Sequence, residues 1–245
     1  MAEVVPGESP GRSNPFWRLT WTFLSFVLVE IIVCGLSAVP VLGLWLLLIK
    51  LAGASRTLQI LLFAGAIGPS YMIFAIVLMF LSPLVTRLLG WRTPKDTEMR
   101  IADMGWPLLR WVRYVASNHV VRVLAGSIFR SSPPWTMHLR LAGARIGRRV
   151  YVNSLALNDY NLLEFGDDVV IGGNVHLSGH TVEAGIIKTA HVKLGRNTTV
   201  GLCSIIEIGV ESGSNCTIAA MTFVTKHTKL EGNAVYAGIP AKRIN

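Results

Sequence analysis

The sequence predicts a membrane α plus all-β chain: two transmembrane helices, then amphipathic interfacial helices, then a parallel β solenoid of hexapeptide repeats. Three observations carry this. Mean hydropathy is +0.50 with only 15% charged residues, more apolar than an ordinary soluble domain. Two long apolar runs occupy the first third of the chain. From residue 146 onward an apolar residue returns at every sixth position.

The elements follow in order. Residues 1–15 are rich in Pro, Gly and Ser and predict a flexible tail, without the basic start and small-residue cleavage site of a secretory signal. Residues 16–91 form the expected two-helix transmembrane domain. Its runs Phe23–Ile49 and Leu58–Leu81 each exceed the roughly 20 residues that span a bilayer. Pro40 and Gly68-Pro69 predict kinks, and Trp17, Trp21 and Trp91 predict the headgroup level. Glu30 reads as a neutral or interfacial carboxyl near a helix end, with a functional intramembrane acid as the alternative.

Residues 92–144 predict basic amphipathic helices at the membrane surface. Between 92 and 149 lie eleven Lys/Arg against Asp96, Glu98 and Asp103, which is +8 of the chain's net +9. A basic band beside apolar helices implies membrane lipid as a partner, and no nucleic-acid motif accompanies it. Pro107 opens a first helix, Asn118 caps a second, and Pro133-Pro134 opens a third that stops at Gly143. The basic residues after the second run (Arg87, Arg92, Lys95, Arg100, Arg110, Arg113) place that side in the cytoplasm. The expectation is a multi-pass membrane protein with a cytoplasmic C-terminal domain.

Residues 145–245 hold the repeat. The apolar slot falls at Leu194, Val200, Ile206, Ser212, Ile218, Val224 and Leu230, with small or β-branched residues two places earlier (Thr198, Ser204, Val210, Cys216, Thr222, Thr228). Upstream it falls at Ile146, Val152, Phe165, Ile171 and Leu177. A six-residue period makes one short strand and one turn, and three hexads close a triangular coil faced by parallel sheets. The beat slips by one residue around Asn158–Leu163 and breaks between Leu177 and Leu194, so a loop leaves the coil there, with His180 at its base. Cys34, Cys203 and Cys216 suggest no disulfide framework.

The recurrent Leu-Gly, Val-Gly and Ile-Gly hexads, SNCTIAAMTFVTK (214–226) and VYAGIPAKRI (235–244) resemble the hexapeptide-repeat transferases over about 146–245. That family includes serine, galactoside, maltose and xenobiotic acetyltransferases. The resemblance implies a left-handed parallel β-helix, a homotrimer and active sites between neighbouring coils. A narrower likeness lies in PPWTMHLRLAGARIGRRVYVNS, NDYNLLEFGDDVVIG and GHTVEAGIIK. These runs resemble the membrane-bound C-terminal repeat domains of poly-lysine-synthetase-type nonribosomal peptide synthetases, whose adenylation and carrier domains this chain lacks.

Acyl transfer from a thioester needs a base, oxyanion donors and a channel for the pantetheine arm. Histidine suits the base because imidazole titrates near neutral pH, and His180 matches the family's catalytic histidine. Glu183 either orients that imidazole or is a solvated loop acid. Asp159 and His176 are candidates for the acceptor side, His176 also reading as an outward face residue. The donor implied by the resemblance is acetyl-coenzyme A or another acyl thioester. The Leu202 N–H would then meet the thioester carbonyl and Ala220 the pantetheine. Thr225 and Lys226 would lie near the nucleotide end, Lys226, Lys242 and Arg243 at the phosphates, and Pro240 beside the adenine. Ser212 in an apolar slot and Ala219-Ala220-Met221 depart from the family pattern, with Met221 narrowing the channel. His176, His180 and His191 lack the spacing of a zinc site of the gamma-carbonic-anhydrase kind, and no metal is expected.

These readings imply a membrane-anchored acyltransferase acting on a hydroxyl or amine of a small-molecule acceptor. The alternatives are an amide-forming transferase fed by an aminoacyl carrier-protein thioester, and a non-enzymatic trimeric membrane scaffold.

Overall fold

The computed structural model describes residues 15–245. The tail expected over 1–15 lies outside the described residues, apart from Pro15, which opens the first helix. Two long helices, α1 (Pro15–Ala52) and α2 (Arg56–Leu88), form an antiparallel hairpin. Ser55 caps α2, its hydroxyl accepting from the Leu58 N–H at 3.4 Å. Both helices continue through their prolines, Pro40 in α1 and Pro69 and Pro83 in α2. The Trp45 indole donates to Ser70 Oγ at 2.8 Å and stacks on Phe63, which fixes the register of the pair. Their outer faces leave Leu46, Leu61 and Ile67 about two-thirds exposed, and both helices are long and apolar enough to cross a membrane.

A wedge of short helices joins this hairpin to the rest of the chain. It consists of α3 (Trp106–Val121), a π turn (Arg122–Gly126), α4 (Ser127–Phe129) and α5 (Pro133–Leu141). Pro107 sits in the first turn of α3, where its missing N–H costs nothing. Asn118 does not cap a second helix: it is buried inside α3, which runs on into the π turn. The wedge is clamped to the hairpin by Tyr71 Oη donating to Leu124 O at 2.5 Å and by Ser117 Oγ donating to Glu30 Oε1 at 2.5 Å. Trp91, expected at the headgroup level, is buried within the protein, with the Arg113 guanidinium 5.7 Å from its ring centroid. Its apolar surface is covered by the wedge.

The C-terminal part is mostly β, with parallel sheets of six, five and three strands, the six-stranded one ending in a reversed strand. Each turn of chain adds one strand to each sheet. Thr199 pairs with Thr217 and Thr217 with Val235, eighteen positions at each step. Tyr151 pairs with Val170, nineteen on, which is the single-residue slip seen in the sequence. Thr199 also pairs with Val170, a step of twenty-nine that spans the excursion. The slot residues and those two places earlier fill the interior, and Val200, Ile206, Val210, Cys216 and Ile218 have no exposed surface. Ser212 fits its apolar slot because its hydroxyl accepts from the Gly195 N–H at 3.1 Å and lies 3.2 Å from Thr198 Oγ1.

The corners follow a rule the glycines only partly disclose. Three positions after every slot but Val152 and Leu177 the backbone turns left-handed, at Arg149, Asp168, Asn174, Asn197, Cys203, Gly209, Asn215, Met221, His227 and Asn233. Asn and Asp tolerate that conformation best after glycine. Asn197, Asn215 and Asn233 also stack as an amide ladder with 2.9 Å links.

The segment 92–144 is not wholly helical. Glu98–Arg100 is a strand, antiparallel to Ile186–Thr189, which itself pairs with His180–Glu183 around a turn whose central residues Ala184 and Gly185 both have positive φ. The excursion is therefore paired with a strand of its own chain.

Two outcomes follow. A Cβ on Gly195 would lie 2.5 Å from the Gly213 carbonyl carbon. Gly195→Ala is thus expected to lose about 1–3 kcal/mol, read by denaturant unfolding in detergent. His138, in α5, donates from Nδ1 to Met79 O at 2.8 Å, and burial holds its pKa down to about 4. The native state resists the proton that the unfolded chain accepts near pH 6.5. Stability is complete above that pH, falls as pH drops toward 4 by a total on the order of 3 kcal/mol, then levels off. Thermal unfolding between pH 7 and 4 should show this fall in wild type and much less of it in His138→Asn.

Candidate functional site

The residues that converge come from three separate segments. Asp159 sits in the slipped stretch of the coil, with φ 54° and ψ 50°, and heads the short helical turn Tyr160–Leu162. Arg122 holds the preceding stretch, donating to Leu155 O, Leu157 O and Asn158 Oδ1 at 3.2–3.4 Å. The Asp159 side chain is wholly buried. Its Oδ1 accepts from Thr93 Oγ1 at 2.7 Å and from the Trp111 indole at 3.0 Å, and its Oδ2 takes His180 Nδ1 at 2.5 Å. Three donors on one buried carboxylate satisfy an acceptor-only group.

Each donor is itself positioned. Asn161 clamps the Thr93 backbone, accepting from its N–H at 3.2 Å and donating to its carbonyl at 2.8 Å. Gly143 lets Asn161 come close, since a Cβ there would sit 2.8 Å from Asn161 Cβ. Trp111 projects from α3 and meets His180 edge-on at 5.0 Å. Gly179 admits His180 beside the carboxylate, since its own Cβ would fall 2.9 Å from Asp159 Cβ. Ser178 Oγ donates to the His180 carbonyl at 2.9 Å and lies 3.3 Å from Nδ1. The bond to Asp159 assigns the proton to Nδ1. Nε2 therefore carries the lone pair, and no hydrogen bond engages it among the described residues. The ring keeps 21% of its side-chain surface exposed. A histidine so held can take a proton at Nε2.

The remaining candidates separate into two groups. Glu183 is not the carboxylate that meets the imidazole. It lies at the far end of its strand, hydrogen-bonded to Lys226 and 3.4 Å from Lys188; Lys226 first and Lys188 second hold its carboxyl below the usual range, and the bond to Glu183 in turn holds Lys226 above its own. Lys226 thus ties the hairpin to the coil. His176 is exposed on its strand, its pKa lowered first by partial burial and then by the charges of His180 and Arg122. Leu202 and Ala220 occupy successive corners of one edge, and their backbone N–H groups donate to no acceptor among the described residues. Met221, beside Ala220, is 70% exposed. Thr225 Oγ1 lies 2.9 Å from Thr228 Oγ1. Pro240, Lys242 and Arg243 are exposed at the end of the chain, Arg243 paired with Glu231. No hydrogen bond or ion pair joins this second group to His180 within one chain. Among the described residues no three His, Cys, Asp or Glu side chains gather around a common point.

Sequence reasoning missed Thr93 and Trp111. Trp111 reads as the apolar body of an amphipathic helix, and Thr93 as linker. The slip around Asp159 was the available signal, because an inserted residue in a strict repeat marks a place where the backbone leaves the ladder.

No family model matches the chain. A curated relative, the delta-poly-L-ornithine synthetase of Acinetobacter baumannii (strain AB307-0294), is 25% identical over 161 residues, 64% of this chain and 12% of that protein. Among solved structures the chain is similar to hexapeptide-repeat acetyltransferases. A galactoside acetyltransferase in complex with coenzyme A has TM-score 0.43 and 22% identity, covering 55% of this chain and 80% of that one. A Vibrio cholerae O1 biovar eltor hexapeptide-repeat acetyltransferase complexed with acetyl coenzyme A has TM-score 0.38 and 20% identity, covering 42% and 60%. The serine acetyltransferase of Neisseria gonorrhoeae has TM-score 0.35 and 19% identity, covering 72% and 73%.

Asp159→Asn is expected to turn the imidazole to the other tautomer, because an amide can donate to Nδ1. Nitrogen-15 spectra of histidine-labelled protein should show the Nδ1–H signal of His180 lost in the variant and present in wild type.

Proposed function

We propose that the chain is a membrane-anchored acyltransferase that moves an acyl group, acetyl in the simplest case, from a coenzyme A thioester to a hydroxyl or amine. The observation that carries this is the His180 imidazole, its Nδ1–H held by buried Asp159 and its Nε2 left without a hydrogen bond. In this reading Nε2 removes the proton of the acceptor as its oxygen or nitrogen attacks the thioester carbonyl. The new C–O or C–N bond forms, the C–S bond breaks, and the departing sulfur takes the proton back from the imidazolium. Asp159 stabilises that imidazolium and fixes its tautomer, as the third member of a catalytic triad does. The Leu202 N–H, having no acceptor of its own, is suited to the oxyanion, and Ala220 to the pantetheine. Thr225, Pro240, Lys242 and Arg243 remain our assignment for the nucleotide end. Lys226 joins them on release from Glu183.

The resemblance of the hexads to transferases whose sites lie between neighbouring coils supports a site completed by a second copy, and with it a trimer of left-handed β-helices. Exposed apolar residues on α1 and α2 support two bilayer spans, and the basic residues after α2 support a cytoplasmic coil. The domain division that goes with this reading is a transmembrane hairpin over 16–91, an interfacial wedge over 92–144 and a catalytic coil over 145–245.

The similarity to a poly-ornithine synthetase over 161 residues favours one variant of this scheme, in which the thioester is an aminoacyl group on a carrier protein and the product an amide. A thiol-release assay with acetyl-coenzyme A and mixed acceptors decides between donors. Release by wild type, reduced about a hundredfold or more in His180→Ala and in Asp159→Asn, supports coenzyme A. No release above background from coenzyme A thioesters, with transfer from an aminoacyl carrier, moves the donor to the carrier protein. Equal inertness of wild type and His180→Ala with both donors would overturn the enzyme.

A further inference from the structure

Beside the buried carboxylate lies a cavity of 390 Å³ whose wall includes Arg92, Lys95 and Arg110 together with Thr93 and Pro107, and no carboxylate. The three cations are exposed and form no ion pair or hydrogen bond among the described residues. The nearest acids in sequence, Asp96 and Glu98, face elsewhere, Asp96 3.4 Å from His191 and Glu98 3.7 Å from Lys188. Like charges gathered without a counter-charge repel one another, and an anion entering between them relieves that repulsion. Arg113, on the next turn of α3, is held below the ordinary guanidinium range, by burial first and by the charge of Arg110 second.

The place of the cavity narrows the choice of anion. It opens immediately after α2 ends at Leu88, with Gly90 in its wall. In a bilayer-spanning reading of α2 that is the depth of the headgroups. The first turn of the sixteen-residue α3 also contributes through Pro107, and the dipole of that helix favours the same sign of ligand. Guanidinium forks match phosphate oxygens in pairs. Thr93 connects this cavity to the chemistry, because its hydroxyl donates to the same Asp159 carboxylate that holds His180.

We propose that Arg92, Lys95 and Arg110 bind the phosphate of a membrane lipid headgroup, so that the acyl acceptor is a phosphorylated lipid. The acceptor role rests on the acyltransfer reading above; the binding site does not.

The full chain in detergent is titrated with 1-oleoyl lysophosphatidic acid by thermophoresis. Saturable binding is expected, weakened about tenfold or more in Arg92→Gln/Arg110→Gln. Arg100→Gln, outside the cavity, should bind as wild type, and matching unfolding temperatures show that the variants fold. Inorganic phosphate at the same concentration should not displace the lipid. Displacement at equal concentration would make this a free-phosphate site and overturn the proposal. So would displacement by coenzyme A that depends on Arg110, or binding indifferent to the Arg92/Arg110 exchange. The two readings fail separately. Lipid binding kept by His180→Ala, with no acyl transfer by wild type from any thioester, sinks the enzyme and leaves the lipid site. Acyl transfer by wild type with Arg-independent lipid binding does the reverse.

Discussion

The buried carboxylate of Asp159 is the constraint on which the molecule turns. A wholly buried acid is costly unless every lone pair finds a donor, and here the donors come from three distant stretches: Thr93 behind the helical hairpin, Trp111 on α3, and His180 at the mouth of the excursion. Each must be in place for the others to be stable. The bonds therefore do two things at once. They lock the coil to the segment leaving α2, and they hold one ring nitrogen of His180 so that the other is available.

Around that point the coil behaves as a stack whose layers contact only their neighbours. Its interior is two columns of side chains per face, and its corners are turned by residues in the left-handed region. Where Asn fills those corners it contributes a side-chain ladder as well as the turn. The excursion is the one place where eleven extra residues leave the stack between successive layers, and the chain's own Glu98–Arg100 strand accepts them. The Lys226–Glu183 pair fastens the tip of the hairpin from the other side.

Much of this was legible in the residues. The six-residue beat disclosed the parallel sheets, the slip disclosed the nineteen-residue register, and the break at Leu177 placed His180. The apolar runs disclosed α1 and α2. What was not legible depended on contacts between segments far apart in sequence. Glu183 looked like the partner of His180 because it is three residues away, yet on an extended strand that spacing points it along the hairpin and away from the ring. Asp159 is twenty-one residues away and reaches the imidazole only because the coil brings consecutive layers together. Thr93 and Trp111 carry no motif at all. Asn118 looked like a cap because caps favour asparagine, and tertiary burial within the continuous α3 overrode that preference.

The two ends of the coil are finished differently. Strands at either end of a parallel stack expose unpaired N–H and C=O groups that invite another chain to add on. At the start, α5 packs over the first strands. At the finish the last strand, Lys242–Arg243, reverses direction against Val235–Ala237 and carries two exposed cations. A ladder whose final rung runs backwards and bears charge offers a poor template for an identical molecule. Edge-to-edge pairing of one coil with another is thereby disfavoured on that side.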